Sequence, residues 1–485
     1  MTAAMTPPVR TFAELAPLAP ELVVVAGAFA LLMLDLFLDD RRRVVTHALA
    51  IATLLVAAAL IAFGVGGHGI ALSDMFVRDT GADVLKLALL LVSAVALAYM
   101  WPFLRERGLY KGEIAVLVLF AVSGMMLLVS AGSLTMVYVG LELLALCSYA
   151  LVATDRDSPL ASEAAMKYFV LGSLASGLLL YGMTLVYGAT GTLDLQGIRE
   201  AAEWVSGQER TLLLTGVVFV VVGIAFKFGA APFHMWLPDT YHGAPTPITL
   251  FIGSAPKIAA FGMAWRLLDS ALGPMYEQTQ LLLAALAALS LAVGNLFAIA
   301  QSNLKRMLAY STVSHVGFLF LGLAGGGSDG YAAAMFYAIS YAIMSAAAFG
   351  AIVMLSRRGF EADRIEDFKG LNQRSPWMAL LVLCIMASLA GVPPFLGFWA
   401  KLVVLRAALE GDLMWLAIVG VVFAVIGAFY YLRVIKVMYF DPPSGEPLKA
   451  REGALQAVFA VNALALLGLG LFWSPLMAWC QQAFA

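Results

Sequence analysis

The chain has 485 residues, of which 62% are hydrophobic and only 12% charged, and its net charge is −2. A soluble domain carries about a quarter charged residues, so a water-soluble globule is excluded, and the near-neutral charge excludes a nucleic-acid or other polyanionic partner. The three cysteines, Cys147, Cys384 and Cys480, lie far apart, which excludes a metal or cluster ligand spacing and a disulfide framework.

Apolar runs recur from end to end. About 20 apolar residues cross the hydrocarbon core as a helix, and in lipid only helices or closed barrels satisfy their backbone groups. The runs are continuous and not alternating, so they predict helices and not barrel strands. The stretch Met1 to Glu21 lacks the basic start and apolar core of a cleaved signal, so the first run reads as a retained helix. In chain order the spans fall at 21–38, 44–65, 80–101, 113–131, 133–153, 160–188, 211–235, 244–269, 278–301, 303–325, 329–356, 376–410, 412–440 and 453–480. The fold class is all-α, a polytopic membrane protein of about fourteen helices. The seventh span is interrupted by Gly229-Ala-Ala-Pro232 and the twelfth by Gly391-Val-Pro393-Pro394. Proline removes a backbone donor and clashes with the preceding turn, so both helices should break or kink.

Basic residues set the orientation. The odd-numbered connections hold eighteen: Arg41, Arg42, Arg43, Arg105, Arg107, Lys111, Arg156, Lys305, Arg306, Arg357, Arg358, Arg364, Lys369, Arg374, Arg433, Lys436, Lys449 and Arg451. The even ones hold five: Arg78, Arg199, Arg210, Arg266 and Arg406. The positive-inside bias puts the odd connections in the cytoplasm and both termini outside it.

An internal repeat is visible. Ala164-Ala-Met-Lys167-Tyr168 recurs as Ala333-Ala-Met-Phe336-Tyr337, and each precedes a Pro-Phe break, Pro232-Phe233 and Pro394-Phe395. The division expected is an N-terminal three-helix segment over 1–112, a five-helix repeat over 113–270, a second over 271–440 and a C-terminal helix over 441–485. Five is odd, so the second repeat is inverted in the membrane. Inverted repeats with broken helices are a transporter design, and the breaks point to the ion path.

Charges inside such helices cost about 2.5–3.5 kcal/mol on insertion scales and mark function. Glu142 sits mid-run in the fifth span with no partner in its own helix. Lys227 directly precedes the first break, Lys257 lies mid-run in the eighth span, and Lys401 follows the second break. Lys167 in the sixth span, His315 in the tenth and Lys305 at its start are further relay candidates. Against that, Lys167 could snorkel, His315 could be a neutral packing group, and Lys305 with Arg306 could only fix topology. Lys86 reads as a structural partner of Asp83, one turn earlier. Burial weakens a lysine's hold on its proton and a nearby carboxylate restores it. A line of such groups, with water held at helix breaks, can therefore pass protons. No nucleotide loop, cluster motif or haem-ligand pair accompanies it, which places any redox chemistry elsewhere.

Lys227-Phe-Gly-Ala-Ala-Pro232-Phe233-His234-Met-Trp236-Leu-Pro238-Asp239-Thr-Tyr241-His-Gly243-Ala-Pro245-Thr-Pro247 resembles the signature of the antiporter-like, proton-translocating membrane subunits of respiratory NADH–quinone oxidoreductase, complex I. Ser254-Ala-Pro256-Lys257-Ile-Ala-Ala-Phe261 is similar to the subunit N branch of that family, and Asn303-Leu-Lys305-Arg306 and Pro393-Pro394-Phe395-Leu-Gly397-Phe-Trp399-Ala-Lys401 match as well. The resemblance implies that Glu142 and Lys227 form the pair of one half-channel, that Lys257 is the central relay and that Lys401 belongs to the second half-channel. It also implies partnership with other membrane subunits of the complex, including sister antiporter-like subunits, in a bacterial inner membrane. No cofactor or metal is expected on this chain, with NADH, flavin, iron–sulfur clusters and quinone on other subunits. The alternatives within the same fold are a multi-subunit cation/proton antiporter and a membrane-bound hydrogenase. A stand-alone secondary transporter would need an organic-substrate site, and no convergent polar cluster marks one.

Overall fold

A computed structural model describes residues 12–40, 42–443 and 453–485. Three of the basic residues used for orientation, Arg41, Lys449 and Arg451, lie outside the described residues.

A 3-10 turn (Phe12–Leu18) leads into α1 (Ala19–Asp35), followed by α2 (Val44–Ala62), a hairpin of β1 (Gly69–Ala71) and β2 (Phe76–Arg78), and α3 (Thr80–Glu106). Then come α4 (Gly112–Val129), α5 (Leu134–Val152), α6 (Pro159–Thr190), the short α7 (Leu195–Ala202), α8 (Gly207–Phe228), α9 (Trp236–Gly243), α10 (Thr246–Gly253) and α11 (Ala255–Trp265). The second half holds α12 (Tyr276–Ile299), α13 (Leu304–Gly325), α14 (Gly327–Leu355), the single turn α15 (Leu371–Arg374), α16 (Pro376–Ala390), α17 (Leu396–Glu410) and α18 (Met414–Tyr439). The chain closes with α19 (Ala454–Leu471) and α20 (Trp473–Gln482).

Among the described residues, 13 helical stretches are long and apolar enough to span a membrane, and Pro376–Ala390 is a shorter apolar helix. That shorter piece is the first half of the broken twelfth span expected from the sequence. The protein is an all-α polytopic membrane protein. Its spans differ in surroundings. The stretch through α10 and α11, together with α13 and α14, is enclosed by other helices, whereas α1, α2, α18 and α19 keep wide apolar faces exposed. A helix apolar all round belongs either in a core or in lipid, and these occupy both positions.

Small residues set the closest contacts. A Cβ on Gly124 of α4 would lie 2.8 Å from the Gly140 carbonyl of α5, and one on Gly182 of α6 would lie 2.9 Å from the Gly216 carbonyl of α8. Such contacts let membrane helices pack backbone to backbone. They seat α5, which carries Glu142, and α8, which carries Lys227.

Both breaks end in the same way. Gly229 and Gly391 adopt left-handed conformations, φ +79° and +86°, directly after α8 and α16. The next amides turn back, Ala230 N–H to the Ala225 carbonyl (2.8 Å) and Val392 N–H to the Ala387 carbonyl (3.0 Å). Glycine at this position removes the Cβ penalty of the turn, and the prolines beyond it prevent the helix from resuming.

One reading from sequence changes. Lys86 pairs with Glu21 of α1 at 2.5 Å, while Asp83 takes Arg78 (2.8 Å) and His68 (3.2 Å). Helical neighbours one turn apart are visible in a sequence, and a partner on another helix is not.

Candidate functional site

A helix leaves its last carbonyls without intrahelical donors, and its aligned dipoles put partial negative charge there. In both broken helices a buried lysine takes those carbonyls. Lys257 Nζ of α11 donates to the Phe228 carbonyl at the end of α8 (2.6 Å). Lys401 Nζ of α17 donates to the Leu389 and Ala390 carbonyls at the end of α16 (3.1 and 2.8 Å). Each ammonium also lies over an aromatic ring, Lys257 over Trp236 (5.4 Å) and Lys401 over Phe318 (5.2 Å). Lys257 is 2% and Lys401 8% exposed. Both charges are thus offset by a helix end and a ring face, with no carboxylate paired to either among the described residues.

The first break has additional ties. Trp236 Nε1 of α9 donates to the Phe226 carbonyl of α8 (3.1 Å), and Ala231 N–H donates to Ser290 Oγ of α12 (2.9 Å). The second has one of the same kind, Gly397 N–H to Ser388 Oγ (3.2 Å). The broken halves are therefore held in register.

Glu142 and Lys227 are brought near each other without forming an ion pair. Glu142 accepts a hydrogen bond from Ser176 Oγ of α6. Ser176 and Lys227 line one cavity of about 20 Å³, together with Tyr149, Tyr168 and Trp236. That volume suits about one water molecule, which needs two to four polar partners. Lys227 is next in sequence to Phe228, whose carbonyl holds Lys257, so the three groups Glu142, Lys227 and Lys257 follow one another from α5 across α8 to α11.

His315 is 3% exposed. It exchanges hydrogen bonds with Tyr337 Oη through Nδ1 (2.6 Å) and with Tyr431 Oη through Nε2 (3.1 Å). Tyr431 also meets Ser311 Oγ (2.6 Å), and Tyr341 Oη donates to Thr312 Oγ1 (2.7 Å). Phe318, beneath Lys401, is one turn further along α13. Imidazole and phenol hydroxyls both give and accept protons, so this web joins the α13 side of Lys401 to α14 and α18.

Lys167 and Lys305 lie elsewhere, at the end of the bundle where α9 finishes. Lys167 is 43% exposed at its side chain and pairs with Glu163 (2.7 Å) and Asp239 (2.8 Å). Asp239 also pairs with Arg306 (2.8 Å). Lys305 donates to the Ala244 carbonyl (2.8 Å) and to Glu361 (3.2 Å), and Glu361 also accepts from Thr246 Oγ1. Burial pushes the Glu361 carboxyl up, but Lys305, Thr246 and Arg107 outweigh it and hold the group below the usual carboxylate range. Asp363 completes the set, accepting from Asn303 Nδ2 (2.6 Å).

Sequence reasoning missed Ser176, Asp239 and Glu361. Asp239 had a signal, a lone acid twelve residues after Lys227 inside the long Pro-rich motif. Ser176 and Glu361 had none, because a serine in a membrane helix and a glutamate in a polar loop are common.

The family described as NADH:quinone oxidoreductase/Mrp antiporter, TM, matches residues 131–427, which takes in both breaks and all the relay candidates. NADH-quinone oxidoreductase subunit N of Xanthomonas euvesicatoria pv. vesicatoria is 69% identical over 476 residues, covering 98% of this chain and 97% of the relative. The chain belongs to the NADH-quinone oxidoreductase subunit N family. Another subunit N, from Thioalkalivibrio sulfidiphilus, is 50% identical over 470 residues, covering 97% and 98% of the two chains. Among solved structures, a chain of respiratory complex I from Thermus thermophilus superposes with a TM-score of 0.81 at 31% identity, covering 95% of this chain and 98% of that one. A chain of the Mrp complex from Dietzia sp. reaches 0.84 at 22% identity, covering 98% and 97%, and shares the fold. Subunit N proteins are membrane subunits of complex I, and this chain is one of the proton-translocating kind.

Proposed function

We propose that the chain carries protons through the membrane arm of NADH–quinone oxidoreductase along Glu142, Lys227, Lys257, His315 and Lys401. The observation that carries this reading is the pair of lysines, Lys257 and Lys401, each held on the carbonyl end of a broken helix. A carbonyl end offsets an ammonium only partly, so the site tolerates both the charged and the neutral amine. A carboxylate partner at contact distance would favour the charged form far more strongly.

In this scheme Glu142 and Lys227 form one half-channel, joined through Ser176 and the small cavity beside it. With Glu142 ionised, Lys227 keeps its proton. When Glu142 is neutralised, burial favours the neutral amine, and the proton moves to Lys257 across the end of α8. Lys401 and His315 form the second half-channel, with Tyr337 and Tyr431 linking the imidazole to its neighbours. Lys167, Lys305, Asp239 and Glu361 tie the two halves at the basic end. The two halves are an inverted repeat over 113–270 and 271–440, and the basic face is cytoplasmic. Electron transfer from NADH to quinone takes place on partner subunits, with their flavin and iron–sulfur clusters, so this chain contributes no redox site.

The direct test is to tag the chain, isolate the complex from native membranes and measure NADH-driven proton uptake in vesicles with and without the chain. Copurification with flavin and iron–sulfur subunits, and loss of part of the pumping without the chain, are the expected results. Copurification with subunits of a sodium/proton antiporter alone would overturn the assignment.

A further inference from the structure

The N-terminal three helices lie outside residues 131–427, the span that the family match covers, and no relay candidate falls in them. They nonetheless contain a buried Glu–Lys ion pair. Glu21 of α1 and Lys86 of α3 form an ion pair at 2.5 Å, with side chains 4% and 0% exposed. Apart from each other, the Glu21 oxygens and Lys86 Nζ have no hydrogen-bond partner among the described residues. The ammonium also lies over the Phe76 ring, 4.8 Å from its centroid. Both carboxylate lone pairs and ammonium N–H groups are thus left with capacity to spare.

A buried pair of this kind is a poor adhesive. Its desolvation cost can exceed its attraction, and apolar replacements are often as stable. In a membrane protein it is a functional candidate by default. Its surroundings suggest a route. Asp83 is one turn from Lys86 on the same face of α3. Asp83 in turn contacts His68 Nε2 (3.2 Å), whose side chain is 55% exposed at the face carrying the chain's first described residues. Arg78, 1% exposed, fixes Asp83 through Nε (2.8 Å) and the Val65 carbonyl through Nη1 (2.6 Å). Towards the membrane interior, Ser93 lies two turns along the same face of α3, about 10 Å from the Lys86 level. Its hydroxyl is buried and without a hydrogen-bond partner among the described residues. α3 packs directly on α11, the helix of Lys257.

We propose that Glu21 and Lys86 form a proton-exchange pair in the N-terminal bundle, fed from the interior past Ser93 and opening through Asp83 and His68. It rests on the orientation and proton-carrying role proposed above, which make this opening the outer side. Each step is a proton transfer. An N–H bond of the Lys86 ammonium breaks as its proton passes to an intervening water, and that water gives a proton to Asp83, where an O–H bond forms. Asp83 then passes that proton to the imidazole of His68 and to water. The neutral Lys86 amine is recharged by the acid form of Glu21, which takes its own proton from the interior side. One proton enters, one leaves, and the ion pair is restored.

The test measures the ratio of protons pumped to NADH oxidised in vesicles, normalised to assembled complex, with Lys227→Arg as reference. Glu21→Gln/Lys86→Met removes the pair without unbalancing charge. Lys86→Arg keeps the ion pair but holds its proton permanently. Both are expected to lower the ratio as far as Lys227→Arg does, at normal assembly. An unchanged ratio in either assembled variant overturns the proposal, because a purely structural pair would tolerate both. Failure of both to assemble also counts against it, since a proton-exchange pair is dispensable for folding. If Lys227→Arg itself pumps normally, the wider reading fails and not this branch alone.

Discussion

Ser176 joins Glu142 to the cavity in front of Lys227, and its removal is the mildest way to disturb that pair. A hydrogen bond to a charged group is worth about 1.5–3 kcal/mol, and about 1.4 kcal/mol is tenfold in rate. Ser176→Ala is expected to slow NADH-driven pumping by roughly tenfold at full assembly, read as the initial rate of vesicle acidification. An unchanged rate would remove Ser176 from the path. At this scale the sequence is informative about charges and blind to hydroxyls. Glu142, Lys227, Lys257 and Lys401 stand out because an ionised group in an apolar run is costly. Ser176, Tyr337 and Tyr431 do not, because hydroxyls can hydrogen-bond within their own helix or pack unremarked. The Lys86 partner was invisible for another reason: Glu21 comes from a helix brought alongside only by folding.

At the scale of elements, the breaks organise the site. The Gly-Pro interruptions are readable in the sequence, but what they are for is not: the carbonyl ends of α8 and α16 become the seats of Lys257 and Lys401 only once α11 and α17 are packed beside them. Gly391 is where this can be tested. Its φ is +86°, and a Cβ there would lie 2.9 Å from Lys401 Cδ. Gly391→Ala is expected to cost about 1–2 kcal/mol through backbone strain and to displace the Lys401 side chain. Both a lower melting temperature of the isolated complex and reduced pumping should follow, and a variant with neither would show that the seat is not needed. The loop after α14 offers a pH test. The Glu361 carboxyl lies below its usual range, so the link to Lys305 and Thr246 contributes stability above the ordinary carboxylate pKa. That contribution is lost as pH falls through the lowered value. Amide protection across residues 356–365, taken relative to the intrinsic exchange rate at each pH, should fall on acidification in the wild type and be low and less pH-dependent in Glu361→Gln. Identical profiles in the two proteins would reject the role given to Glu361.

At the scale of the whole molecule, the broad architecture was legible. Continuous apolar runs can only become membrane helices, and the one span that fell into two fifteen-residue pieces, α16 and α17, is the one whose sequence contains Gly391-Val-Pro393-Pro394. How the helices surround one another was not legible, since α14 is nearly as apolar as the exposed α18 and yet is enclosed by other helices. The eighteen-to-five asymmetry of basic residues predicts the orientation: a reporter fused after Arg374 should read cytoplasm, and one near Gly327 the opposite side. Reversed signals would invert the direction assigned to every step. The central claim, that Lys227 holds and releases a proton in each cycle, is tested most directly by Lys227→Arg. Arginine keeps the charge but does not deprotonate in proteins. In vesicles, with NADH-driven pumping and coupled quinone reduction normalised to assembled complex, Lys227→Arg should assemble normally and lose pumping as Lys227→Ala does. Near-normal pumping by the arginine variant would show that Lys227 serves as a fixed positive charge and contradict its role as a proton carrier.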